Sequence, residues 1–449
     1  MKFTLSWLKQ YLDTPASLEQ VCEKLTALGL EVESVRDPGK VLEPFIIAQV
    51  VSAEKHPQAD RLKVCVVDTG KEKLQVVCGA PNARAGIKAV LARPGDVMPD
   101  SGEALKKGVI RGVESQGMLC AVDELGIGGE HEGIMELPND APVGVSFAKF
   151  MKYDDPVIEI NLTPNRPDCA GVYGIARDLA AAGVGKFKPL DVKVIKGKEP
   201  SRIKVALDFP KGDKACPLFA GRLIRNVKNV PSPEWLRQRL TAIGLRPISA
   251  LVDITNYLTF DCARPLHVFD AKKIKGNLWL RAAKGGETFS ALNGKDYVIQ
   301  PGMTMIGDDN GMISLAGIMG GVSTSCDENT TDVFIESAFF DPARTAQTGR
   351  GLQVSSDARY RFERGVDPAF TVPGIEFATQ LVLDFCGTPE TVVCEPEIAG
   401  VVPDTMRVIM LDAGKCKKHA GVDVAVSEQE KILGSLGFGV KVQDGKLAV

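Results

Sequence analysis

No run of apolar residues in this 449-residue chain approaches the ~18 needed to cross a membrane as a helix, so no transmembrane helix is expected. The N-terminus, "MKFTLSWLKQYLD", is amphipathic but lacks an apolar core and a small-residue cleavage site. It reads as mature structure, not as a secretory signal. The eleven cysteines are an odd number, and none forms a C-x-x-C pair. None of the four histidines stands near a cysteine pair. This pattern argues against a disulfide framework or a structural zinc site and for reduced thiols in a cytoplasmic protein. Charge of one sign is not in excess either. The formal net charge is −3, so there is no global basic field, and contact with nucleic acid needs local patches.

The length is too great for one core. At roughly 100–200 residues per domain, three or four domains are expected. Residues 17–35 read as a helix with a capping box at Ser17 and Gln20, followed by an extended stretch from Val32 and Val35. Leu18, Val21, Cys22, Leu25 and Leu28 form one face, and Gly29 ends it. From about 45 to 148, short β-rich runs ("FIIAQVVSAE", "LKVCVVDTG", "KLQVVCG", "IKAVLARPG") alternate with turn residues, which predicts a small antiparallel barrel or sandwich. Helical texture returns at 168–184. The simplest geometry joins the two flanks into one split domain holding the β-rich piece as an insertion. A larger α+β unit follows. It includes a helix at 232–244, with Ser232 as cap, Pro233 in its first turn and Gly244 at its end. The last piece echoes 17–35, with Ser427 and Glu430 at capping spacing. The sequence stops in "DGKLAV", after a turn and inside a strand-like run, which predicts a truncated or proteolysed piece of a longer chain.

Five stretches carry candidate chemistry. Around "HPQAD" (56–60), "VVCGAPN" (76–82) and "RGVESQGMLCA" (111–121), Lys55, Arg61, Lys63, Arg84 and Arg111 are candidate phosphate contacts on a barrel groove. No aromatic residues interleave with them, which argues against base stacking. "INLTPNRPDC" (160–169) reads as a rigid polar turn entering a helix, with Asp168 as cap. "SLAGIMGGVSTS" (314–325) is glycine-rich but lacks the Lys-Ser/Thr of a phosphate loop, so nucleotide hydrolysis is not indicated. In "DVFIESAFFDP" (332–342), Glu336 is a lone carboxylate among apolar residues. It either turns to water or lines a pocket, and position parity does not choose, because both faces look apolar. "SSDARYRFERGVDP" (355–368) alternates in charge and reads best as a structural ion-pair network. In "LVDITNYLTFDCARPLHVFD" (251–270), Asp253 suits a structural place near a strand end, and His267, taken alone, a structural histidine beside a proline turn.

Eight strings in order, "HPQADRLKV", "VVCGAPN", "RGVESQGMLC", "LTPNRPDC", "VDITNYL", "RPLHVFD", "LAGIMGG" and "RFERGVDP", resemble the β subunit of bacterial phenylalanine–tRNA ligase. The resemblance implies a multidomain α+β protein. It has a split N-terminal α+β domain (1–39 plus 152–190), an inserted tRNA-binding barrel of oligonucleotide-binding fold (40–151), a central α+β editing domain (191–399) and the start of a small α/β domain (400–449). It implies an α subunit as partner in an α2β2 tetramer, with tRNA(Phe) as the other partner and no membrane. Aminoacylation lies on the α subunit and uses ATP and Mg2+. Neither is expected bound to this chain, and no metal ligand is assigned.

The resemblance also implies that the β subunit hydrolyses tyrosine wrongly attached to tRNA(Phe). The matching positions are Thr255, Asn256 and His267 for catalysis, with Glu336, Ala316 and Gly317 binding substrate. Tyrosine exceeds phenylalanine by one hydroxyl, which an apolar synthetic pocket rejects poorly and a hydrogen-bonding site reads well. Glu336 is expected to accept the phenol proton. His267, Thr255 and Asn256 are expected to hold water, ribose or the carbonyl, converging on Glu336 without a nucleophilic triad. The alternative is a non-catalytic module that only binds tRNA or a partner subunit in this truncated form.

Overall fold

The computed structural model describes residues 1–128, 132–443 and 446–449. The chain divides into two compact units, one made of Met1–Ser34 with Ile158–Val449 and the other of Val35–Val157. Both α-helices and sheets contribute, so the fold is mixed α+β. All eleven cysteines are unpaired.

The first unit opens with helix α1 (Leu5–Tyr11), capped by Thr4, and helix α2 (Leu18–Ala27). Ser17 and Gln20 form the expected capping box, Val21 and Leu25 are buried, and Gly29 leaves the helix at φ +78°. That conformation suits glycine, which has no Cβ to clash.

The second unit is built on four antiparallel strands, β1 (Ile46–Lys55), β2 (Lys63–Asp68), β3 (Lys73–Cys78) and β4 (Lys88–Ala92). All four β-rich runs of the sequence become these strands. Their order is β4-β1-β2-β3, with Met118–Leu119 outside β4. The segment before that outer strand returns to the far edge: Gln116 N donates to Gln75 O at 2.8 Å and Val77 N to Ser115 Oγ at 3.0 Å. The sheet therefore nearly closes, which removes most of its exposed edge.

The rest of the first unit holds an antiparallel sheet. Its central strands are β5 (Leu218–Arg225), β6 (Leu266–Asp270) and β8 (Asp332–Phe339), in the order β6-β8-β5. Side chains alternate between the two faces of a strand. Ala220, Ile224, Val268, Val333 and Ile335 share one core with helix α3 (Ala250–Cys262) and helix α5 (Thr371–Cys386). Phe219, Leu223, Phe269, Phe334 and Ala338 share another core on the opposite face. That second core includes strands Leu278–Ala282, Thr304–Asp308 and β7 (Gly311–Leu315) of a second sheet, together with helix α4 (Asp357–Phe362). Cover on both faces explains why both parities of β8 carry apolar residues and why parity did not orient Glu336.

Several local expectations are corrected. Ser232 does not cap its helix, which begins at Glu234 after Pro233; instead its hydroxyl donates to Asp253 Oδ2 at 2.6 Å. Asp253 lies in the first turn of α3 rather than near a strand end, and also accepts from Ile248 N at 2.9 Å. Asp168 caps nothing, because the following helix starts after Gly171; it pairs with Arg166 and Arg177. The helix Val426–Ser435 begins after Ala425, so Ser427 lies inside it. The final strand Lys446–Ala448 is present, and the turn expected at Asp444–Gly445 lies outside the described residues.

Candidate active site

His267 and Glu336 are direct cross-strand partners in the β6–β8 ladder. Such partners have Cβ atoms on the order of 5 Å apart and project from the same face. On its other side Glu336 faces Gly221 of β5. A Cβ there would lie 2.1 Å from the Phe334 ring, so the glycine leaves room for that ring beside the carboxylate.

Above this face, β7 runs into residues 316–318 and a two-residue strand, Met319–Gly320. Gly317 adopts φ +67°, and a Cβ on it would meet the Phe340 ring at 2.8 Å and the Phe362 ring at 3.1 Å. Gly320 packs on the imidazole itself: a Cβ there would fall 2.3 Å from Cε1 and 2.6 Å from Nε2 of His267. Together these elements line a half-open cavity of about 60 Å³. Its lining includes His267, Glu336, Ser314, Gly317, Ala358 and Phe362.

The electrostatics are unusual. Glu336 is 6% exposed, and its Oε2 has no hydrogen-bond partner. Burial pushes its carboxyl up to about 8. His267 stacks edge-on against Phe269, with ring centres 4.4 Å apart. Its Nε2 is likewise buried and unpartnered, and desolvation pulls its ionisation down to about 4. At neutral pH both groups are therefore uncharged. Buried polar atoms are nearly always paired, so two orphans on one cavity wall are open to a ligand or to water.

Not every expected residue joins them. Gly317 lines the cavity, whereas Ala316 is buried beside it in the core. Thr255 and Asn256 do not line it, which corrects the expected convergence on Glu336. They lie on α3, the helix packed on the opposite face of the sheet, and the Thr255 hydroxyl is taken up by Val252 O at 2.7 Å. Ser314, Ala358 and Phe362 were missed. Ala358 and Phe362 sit one helical turn apart within a segment whose charges drew attention. That segment is indeed an ion-pair network: Glu363 binds Arg359 at 2.9 Å and Arg364 at 3.0 Å. Its apolar i, i+4 pair was the available signal.

The cations of the β-rich unit differ in availability. Lys63 Nζ donates to Ala83 O at 2.5 Å, and Arg84 is held by both oxygens of Glu136. Lys55 pairs with Asp60 at 2.7 Å, and Arg111 donates to Gln58 O at 3.3 Å. Arg61 is exposed.

Residues 45–146 match the family described as "Putative tRNA binding domain", and residues 215–387 match "B3/4 domain". The cavity residues all fall in the second match. Phenylalanine–tRNA ligase β subunits of Paramagnetospirillum magneticum and Bradyrhizobium diazoefficiens are each 56% identical to the chain over 98% of its length. Over nearly all of its length, the chain is similar in sequence to phenylalanine–tRNA ligase β subunits. It spans 55% and 54% of those two relatives, about half of each. An N-terminal fragment of the phenylalanyl-tRNA synthetase β subunit from Pyrococcus horikoshii is 15% identical. It covers 66% of this chain and 81% of its own, and its TM-score of 0.31 is too low to bear on fold or function.

Among the described residues, Asp168, Cys169 and Asp178 bring ligand-type atoms within 4.8 Å of one another. Arg166 and Arg177 already neutralise both carboxylates, so this cluster does not suit a magnesium ion. No helix among the described residues is long and apolar enough to cross a membrane.

Proposed function

We propose that this chain supplies the tRNA-binding and editing part of a phenylalanine–tRNA ligase and hydrolyses the ester of tyrosine wrongly joined to tRNA(Phe). In this reading the barrel region 40–151 contacts tRNA, and the editing region is 191–399. Residues 1–39 with 152–190 form the split scaffold, and 400–449 begins a further domain. Aminoacylation, with its ATP and magnesium, belongs to an α subunit in an α2β2 assembly in the cytoplasm.

One observation carries the editing reading: the unpartnered, buried Oε2 of Glu336 beside the unpartnered Nε2 of His267. A tyrosyl phenol gives Glu336 a hydrogen bond that a phenylalanyl ring cannot. Leaving a buried polar group unsatisfied costs about 1–3 kcal/mol, which penalises the cognate ester. The neutral imidazole of His267 accepts a proton from water or orients the terminal ribose. Backbone N–H groups of the 316–320 segment other than those of Ala316 and Ile318, which are already engaged, are the candidates for meeting the developing oxyanion. Thr255 and Asn256 act through the packing of α3, and Ala316 acts through Gly317. The test is deacylation of Tyr-tRNA(Phe) by the chain and by a His267→Ala, Glu336→Ala variant. Hydrolysis is expected to fall by at least tenfold in the variant while tRNA binding persists. Equal hydrolysis by the two proteins rejects the site.

The small cavity favours a second reading, a module that binds tRNA and a partner subunit but hydrolyses nothing. A short ester, 3′-O-tyrosyl adenosine, separates the two, because it needs no other tRNA contacts.

A further inference from the structure

The cavity is too small for the group it is proposed to read. At about 60 Å³, it is well under half the roughly 150 Å³ in which benzene is known to bind inside a protein, and it holds a water or two. An aromatic side chain enters only if a wall moves. One wall is the β6–β8 sheet, held by a continuous ladder. The other two are the 316–320 segment and α4, which bears Ala358 and Phe362. Among the described residues, a single hydrogen bond joins these two walls: the hydroxyl of Ser356 donates to Ile318 O at 2.8 Å. The same oxygen accepts from Arg359 N at 3.1 Å and so caps α4.

The other hydrogen bonds of the 316–320 segment come from its own sheet and the neighbouring hairpin, and Gly317 and Gly320 also pack on Phe340 and His267. Ser314 Oγ donates to Met319 O at 3.2 Å, Ile318 N to Leu315 O at 3.0 Å and Leu292 N to Gly320 O at 3.0 Å. Between the segment and α4 there remain the Ser356 bond and the packing of Gly317 on Phe362 and of Ala316 in the core that holds Phe362 and Ala358. Van der Waals packing is non-directional and survives a small slide; a hydrogen bond does not.

We infer that Ser356 is a positioning residue: its hydroxyl latches the 316–320 segment to α4 and holds the pocket closed to aromatic rings. The inference rests on the editing reading for the identity of the ring, but not for the latch itself. Closure lowers the apparent affinity for any ring by the fraction of molecules that are open. A ring that also satisfies Glu336 recovers this cost, whereas a plain phenyl ring does not.

The two roles of Ser356 separate chemically. Aspartate at this position keeps the cap, since it accepts from a backbone N–H as well as serine does. As a carboxylate it has no proton to give Ile318 O. Threonine keeps both roles. The experiment is a titration of the 449-residue chain, Ser356→Asp and Ser356→Thr with p-cresol, a tyrosine side-chain mimic, following the His267 resonance. Melting temperatures are measured in parallel. Loss of one ordinary hydrogen bond from the closed state is expected to tighten p-cresol binding by about two- to tenfold in Ser356→Asp. Ser356→Thr should match the parent, and all three should melt within a few degrees of one another.

Equal p-cresol affinity in the parent and a folded Ser356→Asp overturns the latch and leaves the editing reading intact. If Ser356→Asp does not fold, Ser356→Asn, which can donate as well as cap, must match the parent, and Ser356→Gly, which keeps most of the cap strength without the donor, must bind p-cresol more tightly. Any other pattern overturns the latch. Tighter binding in the aspartate variant with no hydrolysis of a tyrosyl ester by any of the proteins keeps the latch and rejects editing. No p-cresol binding by parent or variant rejects both.

Discussion

Two buried carboxyls in one unit make opposite uses of the same environment. Asp261 on α3 is 0% exposed, and burial raises its ionisation, as it does for Glu336. Yet both oxygens of Asp261 are engaged: Oδ1 accepts from Trp7 Nε1 at 2.7 Å and Oδ2 from Tyr11 OH at 2.6 Å. It ties α1 to α3 and has nothing left to offer a ligand. Glu336 lies on a cavity wall with Oε2 unpaired. Burial, and the upward shift that burial causes, therefore does not distinguish a structural acid from a binding acid. The accounting of hydrogen-bond partners does.

The largest effect expected from this contrast is on stability. Asp261→Leu leaves two buried donors without acceptors, at about 1–3 kcal/mol each. Urea denaturation should therefore show a loss of roughly 2–6 kcal/mol, with little change in ester hydrolysis per folded molecule. A loss of hydrolysis without a loss of stability would reverse the roles given to the two acids.

A smaller effect concerns pH. The Glu336 carboxyl is raised from 4.5 to about 8 on folding, so the native state binds its proton more tightly than the unfolded state does. The stability this provides is complete below about 4.5 and is lost as pH rises towards about 8. His267 runs the other way: lowered from 6.5 to about 4, it costs stability as pH falls through that window. Glu336→Gln removes the first dependence only. Relative to the variant, the parent should lose on the order of a few kcal/mol between pH 5 and 8.5. Parallel stability curves over that range would show that Glu336 is not held neutral by the fold.

Much of this arrangement was legible beforehand. The capping box of α2 and the four barrel strands follow from local patterns that burial reinforced. Glu336 stood out because a lone glutamate in an apolar run has few structural explanations. What the sequence hid was face. In β8 both parities are apolar because both sides are covered, and only the His267–Glu336 register assigns the acid to the cavity side. Thr255 and Asn256 are near His267 in the chain, but the turn at Arg264–Pro265 carries the backbone from a helix on one face into the sheet itself. Ser232 looked like a cap because it precedes a proline-led helix, yet a buried partner 21 residues away, Asp253, claimed its hydroxyl. Ala358 and Phe362 were masked by charges whose pairing is structural.

The central claim is that the free oxygen of Glu336 reads a phenolic hydroxyl. The most direct measurement is the ratio of hydrolysis rates for 3′-O-tyrosyl and 3′-O-phenylalanyl adenosine, in the chain and in Glu336→Leu, which offers no acceptor, at a pH where both proteins are fully folded. The account predicts a strong preference for the tyrosyl ester in the parent and at least a tenfold smaller preference in the variant. That prediction is set against the 10⁴–10⁵ a fully built hydroxyl-reading site attains. The same ratio in both proteins would contradict it.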